Sequence, residues 1–133
     1  MLRSATTLEL PDIASVDDDP AHAWRVLSHG LQSILDVPFM ANGTFAHQQA
    51  GTHRIADAID MFMTGDILVH TWDLARAVGL DERLDAVEVH RMYEGLLPLD
   101  AMLRTSGHYG PRVVVSDTAD EQTKLIAFTG RRP

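Results

Sequence analysis

The residues of this chain best placed to do chemistry are Asp66 and His70, within Gly65-Asp66-Ile67-Leu68-Val69-His70-Thr71-Trp72-Asp73-Leu74-Ala75-Arg76. A carboxylate and an imidazole four residues apart project from the same side of a helix. Mixed oxygen and nitrogen donors of this kind suit a divalent ion, zinc or nickel before others. A catalytic zinc usually takes three protein ligands and keeps one position open. The pair therefore needs a third ligand, and His47 and His53, upstream of the same stretch, are the candidates. Asp73, three residues beyond His70, is the candidate acceptor for the ring N–H of His70, although it could equally bond Arg76. The plainer alternative is an i,i+4 ion pair, worth about 0.2–0.5 kcal/mol.

The setting argues against that alternative. At about 100° per residue, Ile59, Phe62, Met63 and Ala77 share a face with Asp66, His70 and Asp73. Ile67, Leu74 and Val78 fill the adjoining face, and Val69 and Trp72 a third. A helix this apolar all round is expected to be the buried central member of a bundle. Burying a charged pair there demands a partner, a proton or a metal. Other chemistries find little support. There is no Gly-x-Ser-x-Gly elbow, Ser28, Ser33, Ser106 and Ser116 have no paired base, and Gly107-His108-Tyr109-Gly110 lacks the lysine and context of a phosphate loop.

The elements that position the pair can be read in order. Residues 1–18 form an irregular lead-in. Asp19-Pro20 is a helix start, with Asp19 as cap and Pro20 in the first helical position. The first helix is expected over Pro20–Asp36, with Trp24, Leu27, Leu31 and Ile34 or Leu35 as its apolar stripe, ended by Val37-Pro38. His22 and His29 share a side of it and read as a solvated face. Asn42-Gly43 signals a turn, which predicts a short hairpin with arms Phe39–Ala41 and Thr44–Gln48. Thr52 opens the central helix and Gly79 closes it. A third helix, capped by Asp85, is expected over Ala86–Ser106 and must kink or divide at Pro98. A loop over Gly107–Pro111 and a short apolar piece at Val113–Val115 follow. A last helix is expected over Asp117–Phe128, anchored by Leu125, Ile126 and Phe128, and then a frayed tail at Arg131-Arg132-Pro133.

Composition bounds the function. The chain has 133 residues, 45% hydrophobic and 23% charged, with net charge −8. That acidity disfavours nucleic acid and anionic membranes as partners. The chain has no cysteine, so disulfides, thiolate nucleophiles and cysteine-ligated zinc are excluded. No apolar run reaches the about 18 residues of a membrane span, and Met1-Leu2-Arg3-Ser4-Ala5-Thr6-Thr7 lacks the apolar core of a signal peptide. The protein reads as cytoplasmic.

Gly65–Gly79 resembles the signature helix of the DinB/YfiT-like superfamily, and of its actinobacterial branch that includes the mycothiol-dependent maleylpyruvate isomerase. Leu99-Asp100-Ala101-Met102-Leu103-Arg104, Gly107-His108-Tyr109-Gly110-Pro111 and Leu125-Ile126-Ala127-Phe128-Thr129-Gly130-Arg131 resemble the same branch, so the similarity extends from about Asp19 onward. The resemblance implies an all-α domain over 19–133, a four-helix bundle around one divalent metal, to which the turn at Asn42-Gly43 adds a short β-hairpin near 39–48. It implies metal ligands at the positions of Asp66 and His70, and a thiol-dependent isomerase or transferase acting on a small molecule with a low-molecular-weight thiol. The family's third ligand is a histidine on further helices at the start of the chain, and nothing like them precedes Asp19 here, so the chain reads as N-terminally short and the bundle as incomplete within one chain. Uncovered apolar faces are then expected to be closed by a second copy, in a homodimer. The competing reading is a truncated, catalytically inactive helical module that self-associates.

Overall fold

The computed structural model of the protein describes residues 15–47, 51–107 and 109–133. These are mostly helical, with one small antiparallel sheet. The chain divides into two compact units, Met1–Met63 and Thr64–Pro133. Among the described residues no helix is long and apolar enough to cross a membrane. All but 15–18 of the expected lead-in lies outside the described residues.

In the first unit, α1 spans Pro20–Leu35. Asp19 caps it by accepting from the backbone N–H of His22 at 2.8 Å, and Pro20 sits in the first turn. Ala23 and Ile34 are buried, whereas Trp24, expected in the apolar stripe, is 56% exposed. The expected first arm of the hairpin is helical instead: Pro38–Ala41 forms the short α2. Pro38 favours the first helical position, and the Val37 carbonyl accepts from Met40 and Ala41, both at 2.9 Å. The turn at Asn42-Gly43 therefore joins α2 to a strand rather than two strands. A Cβ at Gly43 would lie 2.9 Å from Ile55 Cδ1 and 3.0 Å from the Met40 carbonyl, so any larger residue would have to push these neighbours aside.

The hairpin itself pairs β1 (Thr44–His47) with β2 (Gly51–Arg54), Thr44 opposite Arg54 and His47 opposite Gly51. Thr52, the expected opening of the central helix, thus lies in a strand. Phe45 points from β1 into a core of Ile34, Ile55, Ala58 and Ile59, flanked by Leu31, Leu35, Met40, Phe62 and Met63.

Residues 55–78 are helical throughout, but not as one α-helix. α3 spans Ile55–Ile59, a π-helical piece spans Asp60–Thr64, and α4 spans Gly65–Val78. A π turn widens the spiral, so a single 100° projection does not hold across it. The expectation of a helix buried on every side is corrected. Val69, Trp72 and Ala75 are buried, while Ile67, Leu74 and Val78 are 43%, 64% and 58% exposed.

In the second unit α4 ends at Gly79, whose φ of 70° lets the Leu80 N–H reach back to the Ala75 carbonyl at 2.8 Å. α5 spans Ala86–Leu96, capped by Asp85 through the Val87 and Glu88 N–H groups. Pro98 divides the expected long helix: Leu97–Leu99 is a 3₁₀ turn and α6 runs from Asp100 to Thr105. α7 is Glu121–Phe128, shorter than expected because Asp120, not a residue near Asp117, caps it, accepting from the Thr123 N–H at 2.8 Å. α7 buries Leu125, Ile126, Ala127 and Phe128 and packs on α5, where Tyr93 meets Phe128 edge-on with ring centroids 6.4 Å apart. Gln122 ties the start of α7 to the connector before α5, donating to the Glu82 carbonyl at 2.9 Å and accepting from the Leu84 N–H at 2.8 Å.

Candidate metal-binding site

Asp66 and His70 both lie on α4 with exposed side chains, His70 at 67%. Among the described residues no hydrogen bond or ion pair joins the two. His70 instead turns its Nδ1 to Asp73 Oδ2, 2.9 Å away. Asp73 is held from the other side by Arg131, whose Nε and Nη2 donate to Oδ1 at 2.7 Å and Oδ2 at 2.8 Å. This two-pronged contact is the strong form of a carboxylate–guanidinium pair. Arg131 beside it holds the Asp73 carboxyl below the usual carboxylate range, against the opposing effect of partial burial, with His70 adding to the depression. Asp73 in turn raises the pKa of Arg131. Arg76, the alternative partner for Asp73, donates to the Arg132 carbonyl at 2.7 Å and covers the Trp72 ring, 4.7 Å from its centroid.

Arg131 is therefore not part of a frayed tail. Gly130, at φ 90°, reverses the chain after α7, so that its N–H meets the Ala127 carbonyl at 3.1 Å and the Arg131 N–H meets that of Ile126 at 3.2 Å. Those two bonds make a Schellman motif, which delivers the Arg131 side chain to α4. A Cβ at position 130 would press on the Pro111 carbonyl at 3.2 Å. The adjoining loop is fastened by Arg104, which donates to the carbonyls of Gly110 and of Phe128. Arg104 and Arg112 share the Asp100 carboxylate at 2.9 and 3.0 Å and lie over the Phe128 ring. Tyr109, in the same loop, has its phenol pKa raised, first by burial and then by the charge of Asp66.

The other two sequence candidates lie in the hairpin. His47 belongs to β1, and its side chain lies outside the described residues. His53, in β2, packs edge-on against Phe62 with centroids 6.3 Å apart.

A second group was not singled out from the sequence. His90 and Glu94, one turn apart on α5, meet Glu121 at the start of α7, each offering one ligand atom within 4.8 Å of the others. Glu121 approaches His90 Nδ1 with both oxygens, at 2.9 and 3.1 Å. That contact raises the His90 pKa, with a smaller contribution from Glu94. The His90-x-x-x-Glu94 spacing is visible in the chain, but Glu121 is 31 residues from His90, and only the packing of α7 on α5 brings it in.

Compared with family models, curated proteins and solved structures, the chain matches none.

Proposed function

We propose that this chain is a divalent-metal-binding helical protein of the DinB-like kind, with Asp66 and His70 as ligands for zinc or nickel and a low-molecular-weight thiol as co-substrate in an isomerase or transferase reaction on a small molecule. The four-helix arrangement and the thiol belong to the resemblance of Gly65–Gly79. The observation that carries the reading is the contact between His70 Nδ1 and Asp73 Oδ2 at 2.9 Å. Metal-binding histidines characteristically give their second nitrogen to a carboxylate, which fixes the ring and raises its basicity. Here the carboxylate is itself clamped by Arg131, and Nε2 of the exposed ring is the nitrogen left to a ligand.

The donor set fits in kind: one imidazole nitrogen and one carboxylate oxygen, one turn apart on α4. When bound, the ion would polarise the thiol toward its thiolate. Asp73 holds His70 in its ligating orientation, Arg131 keeps Asp73 ionised, and burial with the charge of Asp66 keeps the Tyr109 phenol protonated. Titration of tag-free protein with zinc by calorimetry tests the reading. Asp66→Asn and His70→Gln each weaken binding by about tenfold or more. Affinity unchanged in both variants overturns it.

One observation favours a second reading, self-association without catalysis. Ile67, Leu74 and Val78 recur along one side of α4 and are all exposed, and such apolar stripes mark contact sites. Under this reading light scattering at micromolar concentration finds a homodimer that Leu74→Glu converts to monomer. A wild-type monomer ends it.

A further inference from the structure

We propose that His90, Glu94 and Glu121 form a second cation site, separate from Asp66 and His70, that takes a divalent first-row transition ion through one imidazole and two carboxylates. Three donors converge there, against two on α4. Neighbouring ligands of an ion held at about 2.1 Å sit roughly 3–3.4 Å apart, and the separations of 2.9 and 3.1 Å between His90 Nδ1 and the Glu121 oxygens are already near that spacing.

The donors stand on regular elements, which hold ligands more firmly than loops do. His90 and Glu94 share one side of α5 by their i,i+4 spacing. Glu121 is the first residue of α7, fixed in place by the Asp120 cap, by the Gln122 bridge to Glu82 and Leu84, and by the packing of Tyr93 on Phe128.

Charge supplies the drive. Two carboxylates and the His90 ring bring their donor atoms within 4.8 Å of one another, and among the described residues no Arg or Lys pairs with Glu94 or Glu121. The nearby Arg91 is turned to Glu88 instead, at 2.7 Å. With neutral imidazole, the group carries two negative charges and no cation. A divalent ion neutralises both and displaces the proton that His90 otherwise shares with Glu121.

Nickel ion, added substoichiometrically to the full-length ¹⁵N-labelled chain, tests this directly, because its paramagnetism broadens amide signals near where it binds. The expected result is broadening around His90, Glu94 and Glu121 that needs about tenfold more nickel in Glu121→Gln or Glu94→Gln and is unchanged in His70→Gln. All three substitutions are at exposed positions, and the amide spectrum itself reports that each variant is folded. No broadening around 90, 94 and 121, or broadening that ignores the two glutamate substitutions, overturns the proposal. Failure of the Asp66 and His70 reading is seen separately, as unbroadened signals over residues 66–73.

Discussion

Asp73 and Glu121 each accept from a histidine Nδ1 at 2.9 Å, yet the two contacts are of different kinds. Asp73 shares a helix with its histidine and is gripped by both arms of Arg131. Its charge is neutralised whether or not the imidazole is protonated, so the histidine is left to other work. Glu121 comes from another helix, has the imidazole as its only cationic partner among the described residues, and lies beside a second carboxylate. In the first case the protein has supplied the countercharge; in the second it is supplied by a proton or, as proposed, by an ion. A histidine–carboxylate contact therefore says little about function until the carboxylate's other partners are named.

The comparison can be broken most severely from underneath. Phe128 is buried beneath Arg104 and Arg112, and the α7 end it anchors delivers Arg131. We predict that Phe128→Ala lowers unfolding stability by about 3–5 kcal/mol, read as a fall in the urea midpoint. A loss under about 1 kcal/mol would mean that the site collapses around the cavity and that Phe128 is not the anchor.

Next in size is the loss of orientation at His70. Asp73→Asn should weaken zinc binding at residues 66–73 by about 10- to 100-fold, while Glu121→Gln leaves zinc binding at those residues unchanged. Amide spectra of residues 66–73 during zinc titration of both variants check the contrast, and equal effects would erase the distinction between the two contacts.

Removing the clamp alone is milder. Arg131→Gln should cost about 1 kcal/mol in chemical denaturation, below the usual range for charged hydrogen bonds because both partners remain partly in solvent. No change would show that Arg131 is a spectator.

The smallest effects are in pH dependence, and their signs are opposite. Asp73 has a depressed folded pKa, so its contribution is present above the unfolded aspartate value and is lost as pH falls through the depressed one. His90 has a raised folded pKa, so its contribution is complete below the ordinary imidazole value and is lost as pH rises through the raised one. Denaturation across pH should show Asp73→Asn flattening the acid limb and Glu121→Gln flattening the slope near neutrality. Slopes unaltered in both variants would contradict the assignments.

Local signals in the chain were legible, and non-local ones were not. Asp19-Pro20, Asp85, Pro98 and Gly79 start, divide or stop helices through interactions within a few residues, and the structure uses each of them so. A hairpin near Asn42-Gly43 was also readable, but its register was not, because Pro38 starts a helical turn and the true partner strand is Gly51–Arg54. Burial around α4 is not legible in the same way: apolar residues at 67, 74 and 78 are compatible with a core or with an uncovered side, and periodicity does not separate the two. At the candidate sites, Asp66, His70 and Asp73 sit within two turns of one helix and could be grouped by spacing. Arg131 and Glu121 reach their partners across 58 and 31 residues. Nothing in their neighbours signals that.

The central claim is that His70 is a metal ligand whose Nδ1 is held by Asp73. Long-range ¹H–¹⁵N spectra of the imidazole rings during zinc titration of the tag-free chain test it most directly. The account predicts that Nδ1 of His70 keeps its proton toward Asp73 while Nε2 shifts on adding zinc, and that Asp66→Asn weakens this response. A His70 ring whose two nitrogens do not move with zinc, in a chain that is otherwise folded, would contradict it.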